Sequence, residues 1–322
     1  MIILNLDPWN YSDKAKCIFS ELGEYKELQN ISRDALKEEI NVVNILVLRL
    51  SHHLDKELLS YAKELKYIVT NCTGLDHIDV DCCKQLGIEV ISLKGEFNFL
   101  RDIHATAELT WGLLLDSYRH ISKAQWHVSE RNGWKRDLFF GNELHGKKIG
   151  ILGLGRIGEK IADFANCFGM SVKAYDPNPL SHARYIELFD NIEALFSSDI
   201  DILSVHVNYY KATHYLINAR LLKKLKPGVT IVNTSRGAIV DEVALIEELK
   251  SQRIKCYATD VVENENEDGF LNTSALLNAK NNGANILITP HIGGVTYESW
   301  HKTEEFCAFK LKKAIEMRNT KC

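Results

Sequence analysis

The stretch KKIGILGLGRIGEKIADFANCFGMSVKAYD, Lys147 to Asp176, decides how this chain is read. Ile149, Ile151 and Leu152 make a short apolar strand, and Gly153, Gly155 and Gly158 follow at its end with GxGxxG spacing. The first glycine permits a tight turn, the second lets backbone come against a pyrophosphate, and the third lets a helix pack closely on the strand. That helix carries Ile157, Ile161, Phe164, Ala165 and Phe168 on one face. Its free N-terminal amides and the positive end of its dipole point at the pyrophosphate. Val172 to Asp176 reads as the next strand, and Asp176 lies about 20 residues past the glycines, where a carboxylate accepts a ribose 2′-hydroxyl and repels a 2′-phosphate. Glycines in a turn are more often only a turn. Here the strand, helix, second strand and terminal acid stand in register, which predicts a dinucleotide site. Pro177, Asn178 and Pro179 follow Asp176 with no adjacent base, so NAD is expected rather than NADP.

A chain of 322 residues suits two domains. Its hydrophobic fraction of 45% and charged fraction of 25% are those of a globular protein. Net charge of −4 and a pI near 6.3 give no reason to expect nucleic acid or an anionic membrane as partner. The opening MIILNLD turns acidic before a signal-peptide core forms, and no apolar run approaches the roughly 20 residues that span a bilayer. A cytoplasmic location is expected. The eight cysteines, Cys17, Cys72, Cys82, Cys83, Cys167, Cys256, Cys307 and Cys322, form no CxxC pair, so no metal site is expected and the thiols read as reduced core filler.

The first hundred residues alternate apolar strands with helical segments, the pattern of a parallel sheet with crossover helices. Ile2 to Leu6, Ile45 to Leu50, Tyr67 to Thr70 and Glu89 to Ser92 read as strands. Helices are expected near Asp13 to Leu22, Ser32 to Glu38, Asp55 to Lys63 and Val80 to Leu86. After the third strand comes NCTGLDHID, Asn71 to Asp79, where Thr73 and Gly74 offer backbone amides to a ligand or simply turn the chain.

Asp102 to His120 is helical and apolar on most sides, which predicts burial between domains or against another subunit. Trp126 to Leu144 holds Trp126, Trp134, Phe139 and Phe140 among charges with weak periodicity, reads as an irregular arm, and with the preceding helix predicts a homodimer. Beyond Asp176, strands are expected at Ile202 to Val207, Thr230 to Thr234, Lys255 to Val261 and Ile286 to Thr289. Helices are expected at Asn218 to Leu225 and Asp241 to Ser251, both with good N-caps, and a last one from Thr296 to Met317 has Trp300, Phe306, Phe309, Leu311 and Ile315 as its apolar side.

Three strand ends carry reactive side chains. VNTSRGAIVD (Val232 to Asp241) presents Arg236, whose guanidinium can clamp a carboxylate bidentately. TDVVENENE places Asp260 at a strand end and Glu263, Glu265 and Glu267 after it. ITPHIGG presents His291 ahead of Gly293 and Gly294, and an imidazole moves a proton at neutral pH, as alcohol–carbonyl interconversion needs. Each alone has a bland reading as surface charge, solvated loop or helix cap. Together they gather at strand ends on the side of the glycine turn.

GLGRIG, NTSRGAIVD, the Asp260 to Glu265 spacing and TPHIGG, with CTGLDHIDVDCCKQLGIEVIS and ATAELTWGLLL in the same order, resemble the D-isomer-specific 2-hydroxyacid dehydrogenases, most of all the D-3-phosphoglycerate dehydrogenase branch. The resemblance spans nearly the whole chain. It implies two doubly wound α/β domains: a discontinuous flavodoxin-like substrate domain, residues 1–100 rejoined by a C-terminal helix in 293–322, and a Rossmann NAD-binding domain, residues 101–292. It also implies roles. Arg236 would bind the substrate carboxylate and carbonyl, His291 would be the acid/base, and Glu265 would pair with His291. Arg156 and Ile157 would lie on the pyrophosphate, Asp176 on the ribose, Thr234, Ser235 and Arg236 beside the nicotinamide, and Asp260 on the carboxamide. His206, Gly293 and Gly294 belong to the same cofactor set, and Thr73, Gly74 and Leu75 would hold the substrate carboxylate.

Departures are visible as well. Glu265 is followed by Asn266 where family members commonly have proline, and Glu263 stands close by as an alternative partner for His291. HVN at His206 to Asn208 replaces HVP, and Ser51 stands where phosphoglycerate members tend to carry a second arginine after Arg49. The expected activity is reversible, NAD-dependent hydride transfer to or from a small 2-hydroxy acid. A cofactor-sensing binding protein of the same fold is the alternative, and a formate-type enzyme would want an amide beside the histidine.

Overall fold

In a computed structural model, residues 1–179, 183–267 and 269–320 are described; Cys322 lies outside them. The chain forms two compact units, Met1–Asp102 with Val295–Cys322, and Ile103–Gly294.

The first unit is built on β1 (Ile2–Asn5), β2 (Glu24–Glu27), β3 (Ile45–Val47), β4 (Tyr67–Val69) and β5 (Glu89–Ile91), all parallel in the order β2-β1-β3-β4-β5. This is the flavodoxin-like order, with its switch point between β1 and β3. The central strands β3 and β4 are buried at every residue, which is why they read as plain apolar runs. Strand β2, EYKE, is largely exposed and has one neighbour, so no apolar pattern announces it.

The last helix, Tyr297–Asn319, packs on the helix Asp13–Leu22 and on β4 and β5, and Thr296 caps it by accepting the Ser299 N–H at 3.0 Å. Its buried side includes the expected Leu311 and Ile315, leaves Trp300 and Phe306 half-buried, and adds polar residues that were not expected. Ser299, Thr303, Glu304, Cys307, Ala308, Leu311 and Ile315 face inward, while Phe309 is 44% exposed. The face is partly polar because Glu304 has a buried partner: Arg49 Nε donates to it at 3.0 Å and the Ser12 N–H at 2.8 Å.

The second unit holds β6 (Lys148–Leu152), β7 (Ser171–Tyr175), β8 (Ile186–Leu188), β9 (Ile202–Val205), β10 (Val229–Asn233), β11 (Ile254–Thr259) and β12 (Ile286–Ile288). All are parallel in the order β12-β11-β10-β9-β6-β7-β8, the Rossmann arrangement extended by one strand, with its switch point between β6 and β9. The helix Ala105–Arg119 buries Ala107, Trp111, Leu114 and Tyr118 in a core shared with Ile149, Ile161 and Ala165. These residues are packed inside the helix's own unit. The segment read as an irregular arm begins with a helix, Ile121–Arg131, none of whose residues is buried. Ile121, Ala124 and Val128 recur at helical spacing, a short period that the reading passed over among the charges.

Candidate active site

The glycine turn closes the carboxyl end of β6. Gly153 has φ +92°, and a Cβ there would stand 2.7 Å from the carbonyl oxygen of His206 at the end of β9. The first glycine thus sits at the switch point because two chain segments touch. A Cβ on Gly158 would come 2.1 Å from the Gly153 carbonyl oxygen, whereas one on Gly155 would meet nothing within 4 Å. Gly155 precedes the helix Arg156–Cys167 and faces open space, as the approach of a pyrophosphate requires. Arg156 is half-buried with Ile157 beside it; burial lowers its pKa, and no carboxylate among the described residues forms a salt bridge with it. A bound dianionic pyrophosphate would supply that missing charge.

Asp176 follows β7 and accepts the Leu154 N–H of the glycine turn at 2.8 Å and the Asn178 N–H at 2.8 Å. The carboxylate is fixed beside the turn that it was expected to serve. At the end of β9, His206 Nε2 meets Ser204 Oγ at 2.7 Å while its Nδ1 is buried without a protein partner, and burial pushes the imidazole down to about 3. His206 is a neutral ring at physiological pH.

Strand β10 delivers Thr234, Ser235 and Arg236. Thr234 Oγ1 meets Thr110 Oγ1 at 2.7 Å, and Ser235 Oγ donates to the Val205 carbonyl at 2.8 Å. The loop is shaped by Asn233, fully buried, whose Oδ1 accepts the Ser235 N–H at 2.9 Å and whose Nδ2 donates to the Arg236 carbonyl at 3.0 Å. Sequence reading passed over Asn233, though an amide ending a fully buried strand was the available signal. Arg236 is half-buried and donates to the Ser235 carbonyl at 2.8 Å.

Asp260, at the end of β11, is 1% exposed and holds the loop after β12. Its Oδ1 accepts the Thr289 hydroxyl at 2.6 Å and the Ile292 N–H at 2.8 Å, Oδ2 accepts the Gly293 N–H at 2.7 Å, and its carbonyl accepts the His291 N–H at 2.9 Å. Burial raises its carboxyl and these donors oppose the shift. A Cβ on Gly293 would meet Asp260 Oδ2 at 3.0 Å, while Gly294 faces open space.

His291 adopts φ +54°, a left-handed conformation costly for a side chain with a Cβ, and the Asp260 bonds hold it there. Its Nδ1 is hydrogen-bonded to Glu265 Oε1. Glu263 is engaged elsewhere, accepting the Tyr215 hydroxyl at 2.6 Å. Of the two candidate partners, Glu265 is the one on the imidazole. Glu242, missed because an acid in the first turn of a helix reads as a dipole complement, accepts the Glu263 N–H at 2.9 Å.

In the first unit, Thr73, Gly74 and Leu75 follow β4, at the carboxyl edge of that sheet. Cys72 Sγ lies 3.8 Å from the Arg49 carbonyl, so this loop adjoins the loop after β3. There Asp7 accepts the Arg49 N–H at 2.6 Å and the Ser51 hydroxyl at 2.8 Å.

Residues 111–293 match the family described as D-isomer specific 2-hydroxyacid dehydrogenase, NAD binding domain. The hydroxypyruvate reductase of Thermotoga maritima is 35% identical over 272 residues, covering 84% of this chain and 84% of that protein. The D-3-phosphoglycerate dehydrogenase of Methanocaldococcus jannaschii is 32% identical over 97% of this chain, which spans only 57% of that enzyme. A glyoxylate reductase from Paecilomyes thermophila, of known crystal structure, superimposes with a TM-score of 0.80 at 28% identity, covering 98% of this chain and 95% of that one.

Proposed function

This chain belongs to the D-isomer-specific 2-hydroxyacid dehydrogenases, which are NAD-dependent oxidoreductases, and from that premise we propose that its substrate is a small, unphosphorylated D-2-hydroxy acid or the matching 2-oxo acid. The observation that carries the residue roles is the His291–Glu265 pair on the sheet edge that also bears the glycine turn.

With Nδ1–H donated to the Glu265 carboxylate, His291 keeps Nε2 for the substrate. In oxidation Nε2 takes the hydroxyl proton, and in reduction the imidazolium returns it to the forming alkoxide. NAD, when bound, exchanges the hydride with C2 of the substrate. Arg236 grips the carboxylate and polarises the carbonyl. Gly155, Arg156 and the amides behind them would hold the pyrophosphate, and Asp176 the ribose. Thr73 to Leu75 are our candidates for further amide contacts to the carboxylate.

Preference for an unphosphorylated acid is supported by Arg49. Its Nε and Nη2 are committed to Glu304, its Nη1 donates to the Trp9 carbonyl at 3.0 Å, and its guanidinium lies 3.7 Å from the Trp300 ring centroid. Ser51 beside it is bound to the Asp7 carboxylate. No free cation is offered to a phosphate by either side chain.

We further propose a homodimer through residues 121–140. Trp126, Trp134 and Phe140 are 51%, 87% and 81% exposed, and burial against a second copy removes that apolar area from water. Seven free thiols among the described residues fit a reducing compartment such as the cytoplasm. Sedimentation at micromolar concentration should give a dimer.

The deciding experiment follows NADH consumption with glyoxylate, pyruvate, hydroxypyruvate and phosphohydroxypyruvate. Turnover of at least one unphosphorylated acid is expected. NADH binding without any consumption would leave a cofactor-sensing protein instead, and preference for the phosphate ester would overturn the specificity argument.

A further inference from the structure

The loop that carries Glu265 is held by bonds within it and by side chains from neighbouring segments. Asn266 follows the glutamate, and Asn264 before it turns left-handed at φ +58°. Proline would have fixed the backbone at such a place, and here hydrogen bonds hold it. Glu265 Oε2 accepts the Val262 N–H at 3.0 Å, which closes the turn on itself. Glu263 is gripped at both ends: its N–H donates to Glu242 Oε1 at 2.9 Å, and its Oε1 accepts the Tyr215 hydroxyl at 2.6 Å. Glu242 is 5% exposed and opens the helix Glu242–Lys250. A Cβ on Gly237 would lie 2.2 Å from Glu263 N, so the acidic loop also rests directly on the residue after Arg236.

We propose that Glu242, acting with Tyr215, is a positioning residue for the acid/base pair: it pins Glu263 so that Glu265 stays on His291, and its own carboxyl biases the proton that the pair holds. The inference rests on the proposed roles of His291 and Glu265. Glu242 touches neither of them and is not offered as a catalytic residue.

The proton bias follows from charge. Burial is the main cause that pushes Glu242 up to about 7, the N–H of Glu263 opposes it, and the charges of Glu263 and Glu265 add to it. The groups that feel its charge are Glu263 and Glu265 on the acidic loop, Tyr257 on β11 and Tyr215. Below pH 7 the carboxyl is neutral. Above it, a further negative charge joins those of Glu263 and Glu265 and favours the imidazolium of His291, which extends reduction toward higher pH.

The test compares wild type, Glu242→Gln, Glu242→Leu and Tyr215→Phe, assayed for 2-oxo acid reduction with NADH from pH 5.5 to 9. Gln keeps an acceptor for the Glu263 N–H and stays neutral. Its kcat at pH 6 should lie within about threefold of wild type, and its alkaline limb should move to lower pH by on the order of half a unit, less than the 1–3 units of a direct charge contact. Leu removes the acceptor, and kcat should fall at least tenfold while NADH affinity and KM change by less than about twofold. Phe at position 215 should give a smaller loss of kcat in the same pattern.

Wild type that turns over no 2-oxo acid sinks the functional reading itself. Turnover by wild type with a Gln profile superimposable on it, a folded Leu variant with wild-type kcat, or a Gln variant as impaired as Leu overturns the inference alone. Should the Leu variant not fold, the Gln and Phe profiles decide.

Discussion

The imidazole of His291 and the carboxylate of Glu265 face each other through Nδ1 and Oε1, and the second carboxylate oxygen is occupied by the Val262 N–H. Neither group is free to rotate away. Replacing His291 is expected to lower kcat by at least about 10²-fold with NADH affinity nearly unchanged. Asn is the better replacement, because it tolerates the left-handed backbone that costs other residues roughly 1–2 kcal/mol. Glu265→Gln removes the charge that favours imidazolium, so reduction should lose activity from the high-pH side and keep an acid optimum. Glu263→Gln should move the profile much less, and a larger shift there than at Glu265 would refute the pairing.

Arg236→Ala should raise KM and lower kcat together, since one guanidinium is asked both to hold the carboxylate and to polarise the carbonyl. Arg236→Lys should recover little, because a point charge cannot make the bidentate contact. Steady-state kinetics on the best 2-oxo acid provide the check. A change confined to KM would limit Arg236 to binding.

Asp176 serves two partners, which two substitutions separate. Asp176→Asn keeps an acceptor for the Leu154 N–H but removes the charge, so NADP discrimination should relax while the glycine turn stays formed. Asp176→Ala should weaken NAD further. Equal losses for NAD and NADP in both variants would remove Asp176 from the ribose site.

Glu304 is fully buried against Arg49. Deleting one partner of a buried ion pair strands the other, at a cost of about 3–5 kcal/mol. Glu304→Ala should therefore lower the denaturant midpoint sharply, and Arg49→Met with Glu304→Leu should restore much of it. A midpoint unchanged in the single variant would show that water reaches Arg49.

Glu242 gives a pH dependence of stability with a definite sign. Its folded-state carboxyl, near 7, lies above the ordinary 4.5, so the contribution of the neutral form is full below pH 4.5 and lost as pH rises through 7. The loss is on the order of 3 kcal/mol. Glu242→Gln should match wild type in stability near pH 4.5 and exceed it at pH 8, as read from urea melts at both pH values. Parallel curves at the two pH values would mean the carboxyl is already ionised in the folded state.

What could be read in the residues, and what could not, divides along physical lines. Strands such as β6, β9 and β10 lie between neighbours on both sides and are apolar at nearly every position, and their ends carry Gly153, His206 and Arg236, so pattern and chemistry coincide. Edge strands β2 and β8 have a single neighbour each and carry no such run. Glu304 was missed in the reading of the last helix, because a buried charge belongs to a partner 255 residues away that no local period reveals. Asn233 closes a local turn by accepting the N–H two residues on, which spacing could have suggested, whereas Glu242 accepts an N–H 21 residues away, a partner set by tertiary approach.

Asp260 has one more effect. The amides of Ile292 and Gly293 end on its carboxylate, and that of His291 is shared between its carbonyl and that of Thr289. In deuterium exchange the three should share one opening event, with protection approaching that of β11 rather than of an ordinary loop. The proton-transfer group would then stay oriented until the sheet itself opens, so warming should leave its alignment intact almost to the melting transition.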